Sequence, residues 1–207
     1  MSSEPTFSVI IPTYQRQELL DAAVASVLQQ TIANIEVIVV DDAGSPPATV
    51  PDDGRIILLR QEVNSGKSSA INRALDLAQG EYLAFLDDDD EWAPTRLATA
   101  LEAHQETDAD VVLIGLDESL LGSGPALHKA RVLSDQALDT REMLAHMGET
   151  TIRRQRCLPF DPTFRACEDL DWSLRLRQDG VSYAGSSTQE WIWGRHEGPR
   201  HKNDQAA

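Results

Sequence analysis

Four consecutive carboxylates, Asp87-Asp88-Asp89-Asp90, stand directly behind the apolar run Tyr82-Leu-Ala-Phe-Leu86. Two carboxylates about 5 Å apart repel by roughly 3 kcal/mol at an effective dielectric near 20, so a chain that crowds four must solvate or neutralise them. A hard divalent cation does so, and Mg²⁺ takes one or two carboxylates and completes its shell with phosphate oxygens. The competing explanation is an acidic loop leading into a helix, since Pro94 suits a first helical turn and carboxylates favour helix N-termini. Three further patterns could do chemistry. Asp41-Asp42 follows a second apolar run, where aspartate binds a ligand or satisfies the backbone donors of a turn. Asn64-Ser65-Gly66-Lys67 opens a helical pattern, whose free N–H groups and dipole favour an anion. Glu168-Asp169 stands at the start of another helical pattern, where the dipole favours negative charge.

The elements that must position these residues are legible as alternating strands and helices. Phe7–Ile11, ended by Pro12, reads as a buried strand, and residues 16–30 carry apolar side chains at helical spacing. Ile35–Val40 is a second strand, Arg55–Arg60 a third, and a helix spans about Ser68 to Gln79, stopped by Gly80. The strand ending at Leu86, a helix from Pro94 to about Thr107 and a strand over Asp110–Leu116 follow. Near-continuous Val/Ile/Leu strands separated by helices predict an α/β fold: a single Rossmann-like domain with a mostly parallel central sheet flanked by helices. In such sheets ligands bind at the carboxyl ends of strands, where the aspartates fall. Residues 117–139 carry no clear pattern, and a short helix is expected at about residues 140–147. Cys167–Gln178 reads as a helix with Leu170/Leu174 and Trp172/Leu176 as apolar pairs and Asp171/Arg175 as an ion pair. Val181–Ala184 and Gln189–Trp193 are short strand candidates, and the tail from Gly198 is polar.

Ser8-Val-Ile-Ile-Pro-Thr-Tyr14, Val37-Ile-Val-Val-Asp-Asp42, Gly80-Glu-Tyr-Leu-Ala-Phe-Leu-Asp-Asp-Asp-Asp90 and Cys167-Glu-Asp169, in this order and each at a predicted strand end or helix start, resemble family 2 glycosyltransferases of the A-type fold. The resemblance implies a nucleotide-sugar-binding half over residues 7–116, an acceptor-binding half over 117–197 and a polar tail. It implies that the Pro12-Thr13-Tyr14 loop, with Arg16 beside it, and Asp41/Asp42 hold the nucleoside, one aspartate accepting from the base's imide nitrogen, a geometry that suits uracil. Asn64, Gly66 and Lys67 would steady the diphosphate, with Arg195 a further anion binder. The family's aspartate–any residue–aspartate motif lands on Asp87 and Asp89. Asp89 becomes the first metal ligand and Asp87 a ribose or metal contact. Asp88 is grouped with the nucleotide-sugar residues, while alternation at a strand end makes Asp88 and Asp90 solvent-facing or loop-fixing. His196 is a third candidate metal ligand. Asp169 would be the general base, with Glu168 positioning it or the acceptor. Gln15, where asparagine is frequent, and an additional Ala43 depart from the family pattern.

The implied activity is metal-dependent transfer, with Mg²⁺ or Mn²⁺, of a sugar from a nucleotide diphosphate donor to an unknown hydroxyl acceptor with inversion. Sugar nucleotidyltransferases share a similar sheet but carry a glycine-rich, arginine-containing loop where this chain has Pro12-Thr-Tyr-Gln-Arg16. An inactive nucleotide-sugar-binding module is disfavoured because every acidic position is occupied. Processive synthesis is disfavoured by the lack of a glutamine-arginine-tryptophan motif and of membrane spans. Composition narrows the field further. Among 207 residues, 41% hydrophobic and 25% charged, the formal net charge is −16, which repels nucleic acid and anionic lipid. No signal peptide or spanning run is visible, so the cytoplasm is the expected compartment. Cys157 and Cys167 lack metal-ligand spacing and read as buried thiols. The short acceptor half leaves room for a homo-oligomer partner.

Overall fold

The computed structural model describes residues 4–116, 130–134, 147–188 and 190–192. Its elements are β1 (Phe7–Thr13), α1 (Gln17–Leu28), β2 (Ile35–Asp41), β3 (Ile56–Arg60), α2 (Lys67–Leu75), β4 (Tyr82–Phe85), β5 (Glu91–Trp92), α3 (Arg96–Thr107), β6 (Val111–Ile114), β7 (Arg131–Val132), β8 (Thr150–Arg153), α4 (Glu168–Gln178), β9 (Tyr183–Ser186) and β10 (Trp191–Ile192). Eight strands form one sheet in the order β3-β2-β1-β4-β8-β6-β9-β7, and β5 pairs with β10 in a small second sheet. β1, β2, β3 and β4 run parallel, as do β6 and β9. β8 lies antiparallel between β4 and β6, and β7 antiparallel on β9. The parallel block is therefore the half read clearly from sequence. β8, Thr150-Thr-Ile-Arg153, is a strand that the sequence pattern does not announce.

The pleat explains the layers. Val9, Ile11, Val37 and Val39 pack with Leu20, Val24, Leu97 and Ala100 of α1 and α3. Ile10, Ile38, Val40 and Phe85 pack with Ala70, Ile71, Trp172 and Leu176 of α2 and α4 on the opposite face. Alternate residues of each strand thus serve opposite cores, the reason these strands read as unbroken apolar runs.

β1 runs two residues past its predicted end, through Pro12 to Thr13. Leu86 N–H donates to the Ile10 carbonyl, so even-numbered positions of β1 face β4, which ends at Phe85. The missing N–H of Pro12 therefore faces a side where no strand continues, and the ladder loses nothing. α2 stops at Leu75 rather than Gln79. Gly80 then comes so close to the backbone of Ser8 that an added Cβ would lie 2.4 Å from its nitrogen. Gly80 N–H donates to Ser8 Oγ, and Ser8 Oγ donates to the buried Glu36, fixing the turn into β4.

Trp172 is buried, stacked on Phe160 at 4.8 Å and edge-on to Phe85, so it belongs to the core. Leu174 of the expected Leu170/Leu174 pair is exposed, whereas Trp172/Leu176 is buried. The Asp171–Arg175 ion pair forms at 2.8 Å. Cys157 is half-buried and Cys167 is exposed, which corrects the expectation of two buried thiols. Burial pushes the Cys157 thiol up to about 12. The short helix expected at residues 140–147 lies outside the described residues except for Met147, which starts a 3-10 turn, Met147–Glu149. Among the described residues, no helix is long and apolar enough to cross a membrane.

Candidate functional site

β1, β2 and β4 end at the same rim of the sheet, and their carboxyl ends carry Thr13, Asp41 and the acidic run. Asp41 is buried and its carboxylate accepts from Gly44 N–H at 2.7 Å, Ala48 N–H at 3.0 Å and Arg60 Nη1 at 3.1 Å. Arg60 also donates to the Gly44 carbonyl at 2.8 Å. Asp42, also buried, accepts from Gln61 Nε2 at 2.7 Å and from the N–H groups of Ser65 and Gly66, both at 2.8 Å. The N–H groups ahead of α2 thus meet an internal anion, Asp42, where a ligand anion was expected. An ionised carboxylate has about four acceptor positions, so three filled at each residue leave one at each for a ligand donor.

The second acidic group is matched by side-chain cations. Asp88 is buried, with Oδ2 accepting from Thr13 Oγ1 at 2.7 Å and Oδ1 from Arg16 Nη1 at 3.0 Å. Of the roles read from sequence it fills the loop-fixing one, and the solvent-facing alternative is corrected: the buried carboxylate ties the turn after β4 to Thr13 and Arg16. Burial pushes Asp88 up to about 6, against the pull of Arg16 and Thr13. Arg16 reaches Asp89 as well, at 3.1 Å. Lys67 Nζ, at the first residue of α2, sits 2.6 Å from Asp87 Oδ1 and 3.6 Å from Glu168 Oε1. Desolvation alone would lower the Lys67 pKa, but Asp87, Glu168 and Asp169 together raise it, so the ammonium stays charged. One side chain therefore ties the end of β4 to the start of α4. Asp169 Oδ1 accepts its neighbour's N–H, Leu170, at 2.8 Å.

One oxygen each from Asp87, Asp89 and Asp90 lies within 4.8 Å of the others. An all-oxygen donor set suits Mg²⁺ or Mn²⁺, and four carboxylates against Lys67 and Arg16 leave an acidic excess for a divalent ion to match. Asp90 is buried and brings an oxygen to this group, so it does not take the solvent-facing place of its two expected ones. Arg195 and His196 lie outside the described residues. Tyr14 and Asn64 are exposed on the rim loops.

Strained backbone gathers here: Gln15, Ala43 and Cys167, none of them glycine, have φ of 58°, 61° and 60°. Each adjoins a residue of the site, where such strain is commonly held. Asparagine tolerates this left-handed region, a physical reason for its frequency at the position of Gln15. Gly66 has φ of 89°, and a Cβ there would meet Arg165 Nη1 at 2.8 Å. Arg165, which also donates to the Ser65 carbonyl at 3.4 Å, is a site residue that sequence reading missed, as are Arg60 and Gln61. Their only signal was polarity at the end of a strand or ahead of an acidic helix start.

Residues 8–166 match the family model for glycosyl transferase family 2. The chain is 34% identical over 188 residues to the putative colanic acid biosynthesis glycosyl transferase WcaA of Escherichia coli K12, covering 85% of this chain and 67% of the relative. It is 39% identical over 114 residues, 52% of this chain and 37% of the relative, to the GalNAc(5)-diNAcBac-PP-undecaprenol beta-1,3-glucosyltransferase of Campylobacter jejuni. In fold it resembles S. aureus TarS 1-349 in complex with UDP, with a TM-score of 0.72, 22% identity, and coverage of 90% of this chain and 59% of that one. It also resembles the mannosyltransferase PcManGT from Pyrobaculum calidifontis in complex with GDP-Man and Mn²⁺, with a TM-score of 0.66, 19% identity, and coverage of 91% and 56%. The chain thus spans between about a third and two thirds of these relatives' lengths. With the motifs at one rim of the sheet and the family model spanning most of the sequence, the chain belongs to glycosyltransferase family 2.

Proposed function

We propose that this chain transfers one sugar per encounter from a nucleotide diphosphate, uridine diphosphate foremost, to a hydroxyl acceptor with inversion at the anomeric carbon. The observation that carries the reading is the Lys67 bridge, which holds Asp87 at the acidic end of β4 and Glu168 at the head of α4 around one ammonium. The nucleoside lies against Pro12, Thr13 and Tyr14, with the remaining acceptor position of Asp41 or Asp42 reading the base. TarS binds UDP and UDP-GlcNAc, and PcManGT binds GDP-Man with Mn²⁺, so pyrimidine and purine donors both occur on this fold.

The acceptor oxygen attacks the anomeric carbon from the face opposite the diphosphate, and the bond from that carbon to the diphosphate oxygen breaks. The acceptor's proton passes to Asp169. Its Oδ1 is oriented by Leu170 N–H, which leaves Oδ2 as the receiving atom. Such a positioned base contributes about 10²–10⁴-fold. Glu168 holds Lys67, whose ammonium faces the departing diphosphate. Asp87, Asp89 and Asp90 are the residues that would hold Mg²⁺ or Mn²⁺, and the bound ion supplies Lewis-acid neutralisation of the leaving group.

A thermal-shift panel of nucleoside diphosphates with and without Mn²⁺ or Mg²⁺ tests the donor half. Ligand at a hundred times its dissociation constant stabilises by about 2.7 kcal/mol. A shift selective for UDP and dependent on metal is expected. No shift with any nucleotide overturns the reading, and release of pyrophosphate rather than nucleoside diphosphate reassigns the chemistry to nucleotidyl transfer.

A further inference from the structure

Lys67 occupies a place that the metal reading needs. Its ammonium is within 2.6 Å of Asp87, one of the three residues whose oxygens converge within 4.8 Å. Resting on that reading, we infer that Lys67 is a built-in competitor for the divalent ion, seated on Asp87 until a nucleotide diphosphate draws its ammonium away, so that metal and nucleotide bind cooperatively.

Three features support this. The backbone beneath Lys67 is anchored, because Asp42 grips the N–H groups of Ser65 and Gly66. The side chain is a compact point charge on a flexible four-carbon stem, able to swing while its Cα stays in place. It is about a third exposed, so it has an open side toward which to move. Glu168, at 3.6 Å, is the second carboxylate that holds the ammonium near the cleft after it leaves Asp87. Arg16 differs, its Nη1 being shared between Asp88 and Asp89. A bare divalent ion approaching Asp87 meets a like charge already bound there. A diphosphate removes the conflict, because it accepts hydrogen bonds from the ammonium and supplies oxygen ligands to the ion.

Mn²⁺ binding to the whole chain, measured by calorimetry or by the spin-resonance signal of the free ion, tests the inference without turnover. In the wild type, Mn²⁺ alone is expected to bind weakly, and saturating UDP, or GDP if UDP does not bind, to tighten it by about 5- to 150-fold, the usual span of site coupling. Lys67→Met and Lys67→Gln are expected to tighten Mn²⁺ alone by about fivefold or more and to lose most of the nucleotide's enhancement. Lys67→Arg, which keeps the charge, is expected to stay within about twofold of wild type in Mn²⁺ alone. Unchanged or weaker binding of Mn²⁺ alone by both neutral variants overturns the competitor role; if Asp89→Asn still abolishes binding, the metal reading survives it. Failure of every form to bind Mn²⁺ with either nucleotide overturns both.

Discussion

Two acidic groups end neighbouring parts of the same sheet, and they are neutralised by different kinds of partner. Asp41 and Asp42, at the end of β2, are held chiefly by backbone N–H groups of Gly44, Ala48, Ser65 and Gly66. Asp87, Asp88 and Asp89, after β4, are held by Lys67, Thr13 and Arg16. Backbone donors cannot be exchanged without refolding the loop, so the first pair shapes a wall. On the proposed reading, side-chain cations on flexible stems are traded for a metal or a phosphate, so the second group is the one that changes partners. The identity of the donor, more than the density of aspartates, separates a structural carboxylate from one available to a ligand.

The comparison can be broken or sharpened by substitution. The largest effect belongs to Asp169, outside the wall: Asp169→Asn is expected to lower transfer by about 10²–10⁴-fold while the donor-induced thermal shift persists. Retained turnover would remove this residue from the chemistry. Within the wall, Asp42→Ala leaves two loop N–H groups and Gln61 without a charged acceptor. About 4 kcal/mol of unfolding free energy should be lost, read by chemical denaturation. Asp89→Asn, by contrast, should change stability by less than about 1 kcal/mol and act on metal-dependent donor binding instead. Equal destabilisation by the two would erase the distinction.

Acid sensitivity supplies a control, because a buried group remote from both clusters also titrates. Burial lowers His104 from 6.5 to about 4, against the opposing bond that its Nδ1–H donates to the Ala109 carbonyl, and its other ring nitrogen lies 3.0 Å from Thr151 Oγ1. The neutral ring is favoured in the folded state, so its contribution is full above about pH 6.5 and is lost as pH falls through 4. It amounts to about 3 kcal/mol at most. Denaturation of His104→Gln across that window should show a flatter profile, and an unchanged one would assign the acid loss to other groups. A smaller effect than that at Asp42 is expected at Gly66. Alanine there combines φ of 89° and ψ of 164°, a region essentially confined to glycine, with a 2.8 Å approach to Arg165, costing about 2 kcal/mol. Adding Arg165→Ala should relieve the contact and leave the backbone part.

Much of this was open to reading because the parallel block is locally encoded. β1, β2 and β4 are apolar on both faces, their helices repeat at the expected spacing, and each motif sits at a strand end. The Asp41-Asp42, Asp87–Asp90 and Glu168-Asp169 positions were therefore identifiable one by one. β8 escaped because four residues, Thr150-Thr-Ile-Arg153, carry too little pattern to stand out. Its place between β4 and β6 is set by contacts nearly seventy and forty residues away in sequence. For Asp88 and Asp90 simple alternation left solvent-facing and loop-fixing places both open, and the turn at Asp88-Asp89 buries both side chains.

By itself the sequence determined the strand-and-helix alternation, the family and the acidic residues carried at the strand ends, because periodicity and short motifs are properties of neighbouring residues. Only the tertiary structure decided which carboxylate meets which partner: Asp42 with Ser65 and Gly66, Lys67 between Asp87 and Glu168, Arg16 across Asp88 and Asp89. Those pairings join segments from twenty to a hundred residues apart, and electrostatic matching at that range depends on how the layers pack rather than on any local preference.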